Sequence, residues 1–303
     1  MPLAQFICPD GQEIDIGQCL NKCRMTQRCL TLPTLIKIAS SERPWDGHPS
    51  TTRLQNGTML EFLRATTPYA IDPKSRSFAL LGNDHHEKLA AMAQGASVLA
   101  EQHQPGMVPG TPDLLEEDEN RDGHFILTDY KTYGSYRVAK MLGMDKEHTF
   151  STTETYKTSG KWGKAGSPKR INKFVIKPEL ADLEDEQLQL NHYRVLLETQ
   201  GYPITKMQVQ ATVRDGGLQA ARERGITGTI YLIDIPRMPD YQVESYFERK
   251  RIALVQAVTL GIAPQVCNDK ECWGGRRCQD YCEVASSCPK GRIELAKRQQ
   301  KGH

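Results

Sequence analysis

The first chemical signal in the chain lies in one short stretch. In Phe125-Ile126-Leu127-Thr128-Asp129-Tyr130-Lys131, the period of two of a β-strand puts the Asp129 carboxylate and the Lys131 ammonium on one face. The stretch is otherwise mostly apolar, and two charges near its end are costly to bury unless a ligand, a metal or a partner uses them. Upstream, Gly110-Thr111-Pro112-Asp113-Leu114 is joined to this stretch through the turn-rich Asn120-Arg121-Asp122-Gly123, so Asp113 can bring a second carboxylate to the same end of a sheet. Two hard oxygen donors with open positions suit Mg²⁺ or Mn²⁺, which bind through one or two carboxylates plus a substrate phosphate. Taken alone, Asp129 and Lys131 leave two readings open, such a site or a plain surface ion pair on an edge strand.

The second signal is in the cysteines. Eight of the nine form two blocks of identical spacing, C-x10-C-x3-C-x5-C: Cys8, Cys19, Cys23, Cys29 and Cys267, Cys278, Cys282, Cys288, with Cys272 left over. Such spacing points to metal ligands rather than disulfides in a reducing compartment. Four thiolates can close a tetrahedral site for Zn²⁺, or hold an iron–sulfur cluster. One zinc site per block meets the duplicated spacing most simply, and a [4Fe–4S] cluster joining the two ends is the alternative.

These residues need elements to position them. Helical spacing of apolar residues predicts helices over 52–64, 77–101, 182–200 and 241–260. Strand patterns fall at 108–115, 124–131, 207–213 and 229–235. Residues 132–178 are rich in Gly, Ser, Thr and Lys and read as a loop or flexible insertion, with a short strand at 174–176. The chain divides into an N-terminal cysteine module with its connector (1–50), an α/β core (51–262), and a C-terminal cysteine module with a basic tail (263–303).

Gly110-x-x-Asp113, Asp129-x-Lys131 and, in the following helix, Gln189-x-x-x-Tyr193 resemble the motifs of the PD-(D/E)XK nuclease superfamily, in its RecB-like branch. Upstream, Gly82-Asn83-Asp84-His85-His86 is similar to the helix motif of that branch, in which a histidine four residues after a glycine is a metal ligand. The resemblance implies a restriction-endonuclease-like core, a mixed central sheet flanked by helices in the order αβββαβ. It also implies that His86, Asp113, Asp129 and the backbone carbonyl of Tyr130 hold Mg²⁺ or Mn²⁺. Glu101 falls where the family often carries a further acidic residue. Lys131 would position the attacking water or neutralise charge on the phosphate, and Gln189 and Tyr193 would contact the DNA backbone or buttress the site. Part of the family also carries a [4Fe–4S] cluster, and Cys278-x3-Cys282-x5-Cys288 resembles its trailing triad with one extra residue.

The net charge of +2 excludes a globally basic nucleic-acid binder, so any such signal is local. It is found over 131–177, with eleven basic against three acidic residues and with Tyr133, Tyr136, Tyr156 and Trp162 among them. That pattern suits a groove that tracks DNA through phosphate contacts and stacking, with Lys157, Lys161, Lys164, Lys169, Arg170 and Lys173 as candidate contacts. No run approaches the roughly 18 apolar residues of a membrane span, and the first ten residues lack a secretory pattern, so a cytoplasmic, membrane-free protein is expected. The sequence thus predicts a metal-dependent deoxyribonuclease of recombination, replication or repair, most simply an exonuclease on DNA ends or single strands. There is no G-x-x-x-x-G-K-[ST] loop, so directed movement along DNA would need a helicase or recombination partner. A non-catalytic DNA-binding scaffold and a structure-specific endonuclease are the alternatives.

Overall fold

The computed structural model describes residues 3–41, 43–93, 98–100, 103–161 and 163–301, without the side chains of residues 83, 86, 93, 98–100, 152 and 301. The chain opens with β1 (Leu3–Ile7), β2 (Glu13–Asp15), α1 (Ile16–Asn21) and α2 (Leu32–Ser40). It continues through α3 (Thr51–Gln55), α4 (Thr58–Thr66), β3 (Tyr69–Ile71), α5 (Ser77–Ala93), β4 (Val98–Ala100), β5 (Leu114–Glu117), β6 (Phe125–Tyr133) and α6 (Ser135–Met141). The second half comprises β7 (Met144–Thr155), β8 (Pro168–Ile176), α7 (Glu184–Glu198), β9 (Ile204–Val213), α8 (Gln219–Arg222), β10 (Ile230–Asp234), α9 (Asp240–Leu260), α10 (Arg276–Asp280) and α11 (Pro289–Lys301).

The architecture is mixed α/β. The main sheet has the strand order β10-β9-β6-β5-β4, with β6 and β9 parallel and the other pairs antiparallel. The parallel pair lies inside the sheet, and the long crossover that parallel strands need runs from β6 through α6, the β7–β8 pair and α7 to β9. Strand β9 alternates burial along its length, and Met207, Val209, Ala211 and Val213 form the apolar floor on which the helices rest. A smaller sheet, β2-β1-β3, is built from the N-terminal residues and the strand after α4.

Two apolar cores meet at α7. One joins Leu127 and Val209 of the main sheet to Leu190, Tyr193 and Leu197 of α7 and to Val138 and Met141 of α6. The other joins Phe6, Leu35 and Ile38 from the N-terminus, Leu60 and Phe62 of α4, Val243 and Phe247 of α9, and Val284 and Cys288 from the C-terminus, and it takes in Leu188 of α7. A helix walled on both sides by apolar cores presents little surface to water, which is why charged and amide residues of α7 such as Glu186, Gln189, Asn191 and Arg194 are buried.

Several expectations are corrected. The helix foreseen over 52–64 is two helices, α3 and α4, broken at Asn56-Gly57. A Cβ on Gly57 would lie 2.3 Å from the Cys267 sulfur, so the C-terminal module presses on the break and only glycine admits it. The helix foreseen to residue 101 gives way to β4 at Val98–Ala100, and the strand foreseen at 108–115 begins only at Leu114. Residues before it form a loop pinned by a bridge between Gln104 and Gly110. The foreseen flexible insertion at 132–178 is α6 followed by a long antiparallel ribbon, β7–β8. Its polar, threonine-rich strands hide no apolar face, so the usual periodic signal is weak there. No helix among the described residues is long and apolar enough to cross a membrane.

Candidate active site

Strand β6 turns Asp129, Lys131 and Tyr133 to one face, and α7 lies across that face with Glu186, Gln189 and Tyr193, spaced three and four residues apart, turned toward it. The two elements are laced together by polar contacts. Gln189 donates through Nε2 to Asp129 Oδ1 at 3.3 Å and to the Tyr193 hydroxyl oxygen at 3.1 Å. One turn earlier on the helix, Glu186 accepts from the Tyr133 hydroxyl at 2.8 Å and pairs with Arg137 of α6. Asp129 is almost wholly buried, at 1% exposure, and its Oδ2 lies 2.5 Å from the Lys131 ammonium.

Asp113 joins from the loop before β5. Its Oδ2 accepts from the Tyr130 amide at 2.7 Å, which ties it between Asp129 and Lys131. That loop is held from three sides: Thr51 of α3 donates to the Pro109 carbonyl through both its amide and its hydroxyl, His192 Nε2 lies 3.0 Å from the Val108 carbonyl, and Tyr193 packs against Gly110. A Cβ on Gly110 would sit 2.5 Å from the Tyr193 ring, so the glycine of the Gly110-x-x-Asp113 motif is required by close approach of α7.

The electrostatics follow from this crowding. Burial pulls the Lys131 ammonium toward neutrality, but the carboxylates of Asp129, Asp113 and Glu186 outweigh it, so its pKa is raised and the charge is kept. Burial, reinforced by the Asp129 and Asp113 charges, raises the Tyr193 phenol against the opposing hydrogen bonds from Gln189 and the Thr111 amide, so it stays protonated. Tyr133 is raised well above its ordinary value by burial and then by Glu186. The result is one positive and two negative groups converging on a spot backed by neutral donors.

Asp113, Asp129, Lys131, Gln189 and Tyr193, foreseen separately, are therefore brought together. The His86 side chain and the whole of Glu101 lie outside the described residues, as does Trp162. The neighbour of His86, His85, is described: its ring centre lies 6.3 Å from that of Tyr130, edge-on, and its Nε2 3.4 Å from the Thr212 hydroxyl, on the sheet face opposite to Asp129. Tyr133, foreseen as a stacking aromatic, is instead tied to Glu186, and Tyr156 has its ring against Gly163 and its hydroxyl accepting from the Arg170 amide. Lys157, Lys161 and Lys164 lie in the connection at the tip of the ribbon, and Lys169, Arg170 and Lys173 on β8. Sequence reasoning missed Glu186 and Arg137. Glu186 precedes Gln189 by three residues, so extending the helical period one step back would have reached it, whereas no local period leads to Arg137.

Among the described residues, no three of the His, Cys, Asp and Glu side chains are arranged as a ready metal site, so the four-ligand groups foreseen in each cysteine block are not preformed. The donor types still fit: Asp113 and Asp129 are hard oxygen donors for a small divalent cation, and each cysteine block offers thiols alone, all of them free. Within each block the thiols lie near enough to act on one another's titration. Burial, then Cys23, Cys29 and Cys8, raises the pKa of Cys19. Cys278 is pushed to about 11 by burial and then by Cys272, Cys288 and Cys267. Cys272, set aside as the odd cysteine, is thus inside the C-terminal group. Cys282 faces Glu283 and is pushed to about 11 by burial, with Glu283 and Cys278 adding to it against the Val284 amide.

The sequence matches no family model and no curated protein. Among solved structures, the crystal structure of SSO0001 aligns over 84% of this chain and 93% of that one with 14% identity and a TM-score of 0.40, a likeness too slight to carry an argument.

Proposed function

We propose that the protein is a divalent-metal-dependent deoxyribonuclease of the RecB-like PD-(D/E)XK kind, working as an exonuclease on DNA ends or single strands. The observation that carries this reading is the convergence of Asp113, Asp129 and Lys131 at the end of β6, with Gln189 and Tyr193 of α7 behind them. The element order α5, β4, β5, β6, α7, β9 supports it, since it follows the expected αβββαβ succession with α6 and the ribbon inserted.

In this reading Asp113 and Asp129 would hold Mg²⁺ or Mn²⁺. A bound ion supplies charge that polarises the scissile phosphate and lowers the pKa of the attacking water. Gln189 fixes the Asp129 carboxylate by donating to Oδ1, and the Tyr130 amide does the same for Asp113 Oδ2. Lys131 remains an ammonium, so it donates to an anionic oxygen, orienting the water or offsetting charge that grows on the phosphate. Tyr193 and Gln189 exclude bulk water from the back of the site, which strengthens these interactions. The cysteine blocks belong to the same reading as structural centres for zinc or an iron–sulfur cluster, contributing folding energy rather than chemistry.

The test is hydrolysis of linear and covalently closed circular DNA, with Mg²⁺ or Mn²⁺ and with chelator. Metal-dependent loss of the linear form is expected, with Asp129→Asn and Lys131→Ala each lowering the rate at least about 10²-fold. Full activity in both variants overturns the reading. DNA binding with no hydrolysis in any metal favours the scaffold alternative, and cutting of the closed circle favours an endonuclease.

A further inference from the structure

The β7–β8 ribbon has two chemically unlike faces. In an antiparallel pair, residues directly opposite each other share a face. One face therefore carries Asp145, Glu147 and Thr149 opposite Val175, Lys173 and Ile171. Its acids are neutralised: Lys177 pairs with Asp145 at 2.6 Å and with Glu147 at 3.0 Å, and Lys173 stands across from Glu147. Glu154, the remaining acid of the ribbon, pairs with Lys169 at 2.9 Å.

The other face carries Met144, Lys146, His148 and Phe150 opposite Ile176, Phe174, Asn172 and Arg170. It contains no acid at all. Lys146 and Arg170 make no ion pair among the described residues, and Phe150 is 66% exposed beside Arg170. At its root this face opens on a hollow of about 260 Å³ lined by Tyr136, Lys140, Lys146 and Phe174 of α6 and the ribbon and by Glu223 and Arg224, one acid and one base, from beyond the ribbon. There the cations lie against rings: Lys140 Nζ is 5.3 Å from the Tyr136 ring centre and Lys146 Nζ is 5.9 Å from that of Phe174. Tyr136 is 57% exposed and follows Lys131 by five residues, a reach of at most about 17 Å. Arg137, next along, ties α6 to Glu186 of α7 and so to the wall of the candidate active site.

Unpaired cations alternating with exposed rings are the elements of single-strand recognition, in which phosphates meet the charges and bases stack on the rings. A duplex would draw on the charge and leave Tyr136 and Phe150 unused. We propose that the acid-free face of the ribbon, with Tyr136, Lys140, Lys146, Phe150 and Arg170, binds single-stranded DNA and leads it to the Asp129–Lys131 site. The opposite face, where Lys169 pairs with Glu154, Lys177 pairs with Asp145 and Glu147, and Lys173 stands across from Glu147, does not take part. The direction toward the site rests on the nuclease reading, whereas the binding itself does not.

The test is fluorescence anisotropy with a 20-nucleotide oligothymidylate and with a duplex of equal length, using the full chain in chelator so that nothing is hydrolysed. Lys146→Ala with Arg170→Ala is compared with Lys169→Ala plus Lys173→Ala, which removes the same charge from the other face. The first pair is expected to weaken single-strand binding at least tenfold and to flatten the log–log salt slope by about 1.4. The second pair is expected to change it less than twofold. Phe150→Ala, which alters no charge, is expected to cost fivefold or more on the single strand and little on the duplex. Lys146→Arg with Arg170→Lys, expected to bind as the parent does, guards against loss through misfolding. Equal losses from the two faces, an unaltered Phe150→Ala variant, or a larger effect on the duplex overturns the proposal. Such results alongside intact metal-dependent hydrolysis leave the nuclease reading standing, while face-specific binding without hydrolysis in any metal overturns that reading alone.

Discussion

At Asp129 a buried carboxylate is held by its neighbours: an ammonium at 2.5 Å on one oxygen and an amide donor at 3.3 Å on the other. Losing one partner strands the other, so Gln189→Leu should lower hydrolysis by about tenfold or more while leaving the fold intact, because Asp129 then loses its fixed orientation. Circular dichroism with rate measurements at saturating DNA separates the two effects. His192 offers a residue-scale test of stability. Its Nε2 meets the Val108 carbonyl at 3.0 Å, while Nδ1 has no hydrogen-bond partner among the described residues, and burial lowers its pKa from the ordinary 6.5. In acid the unfolded chain takes up a proton that the folded one resists, so stability from this group falls as pH drops below about 6.5, by at most about 1.4 kcal/mol per unit. Urea unfolding at pH 7.5 and 5.5 should show this loss, and His192→Gln, which can still donate to Val108, should remove that part of it.

At the scale of elements, the site depends on how closely α7 approaches the loop before β5. Gly110→Ala places a methyl group 2.5 Å from the Tyr193 ring, and the ring cannot withdraw because α7 is packed on both sides. The variant should lose about 1–3 kcal/mol of stability, and its hydrolysis should fall further than its stability explains, because Asp113 moves with the loop. A thermal melt and a rate measured well below the melting temperature test both parts. The same packing shows why the motif's glycine could be read from sequence but not explained there: its reason is an aromatic ring eighty-three positions away in the chain. The ribbon teaches the converse. Its residues gave a charge count but no period, since neither face is covered by apolar packing, and only the strand register separates the acid-bearing from the acid-free side.

Across the whole molecule, the two ends of the chain are packed into one apolar core around α4 and α9. The C-terminal module is fastened to α4 by Glu283, which is 7% exposed in its side chain and accepts from Arg64 at 2.7 Å and Arg76 at 2.9 Å. Burial raises the Glu283 carboxyl, but Arg64 and Arg76 outweigh it and hold it below the ordinary 4.5. Its contribution is therefore present above about pH 4.5 and is lost as pH falls through the lowered value. Glu283→Gln should cost about 1–3 kcal/mol at neutral pH, read by denaturant unfolding, because the charged acceptor is lost to both arginines while Arg64 keeps its pair with Glu61. In the C-terminal cysteine group, Cys272 is 1% exposed, and Cys278 is acted on by Cys272, Cys288 and Cys267 and itself acts on Cys282. Zinc and iron content measured by elemental analysis should fall in Cys278→Ser, the cysteine that acts with Cys272, Cys282, Cys288 and Cys267 alike.

The sequence by itself determined the donors and their local order: Asp113, Asp129 and Lys131 on strand periods, Gln189 and Tyr193 one helical turn apart, and the duplicated cysteine spacing. These are visible because period and spacing are properties of neighbouring residues. Tertiary structure alone decided that Glu186 and Tyr133 extend the lacing of β6 to α7, that Gly57 and Gly110 are contact points, that Cys272 stands inside the C-terminal group, and that the basic segment has one acid-free face. Each of these is a meeting of residues far apart in the chain. It is settled by which surfaces pack and which strands pair, and neither is written in any local pattern.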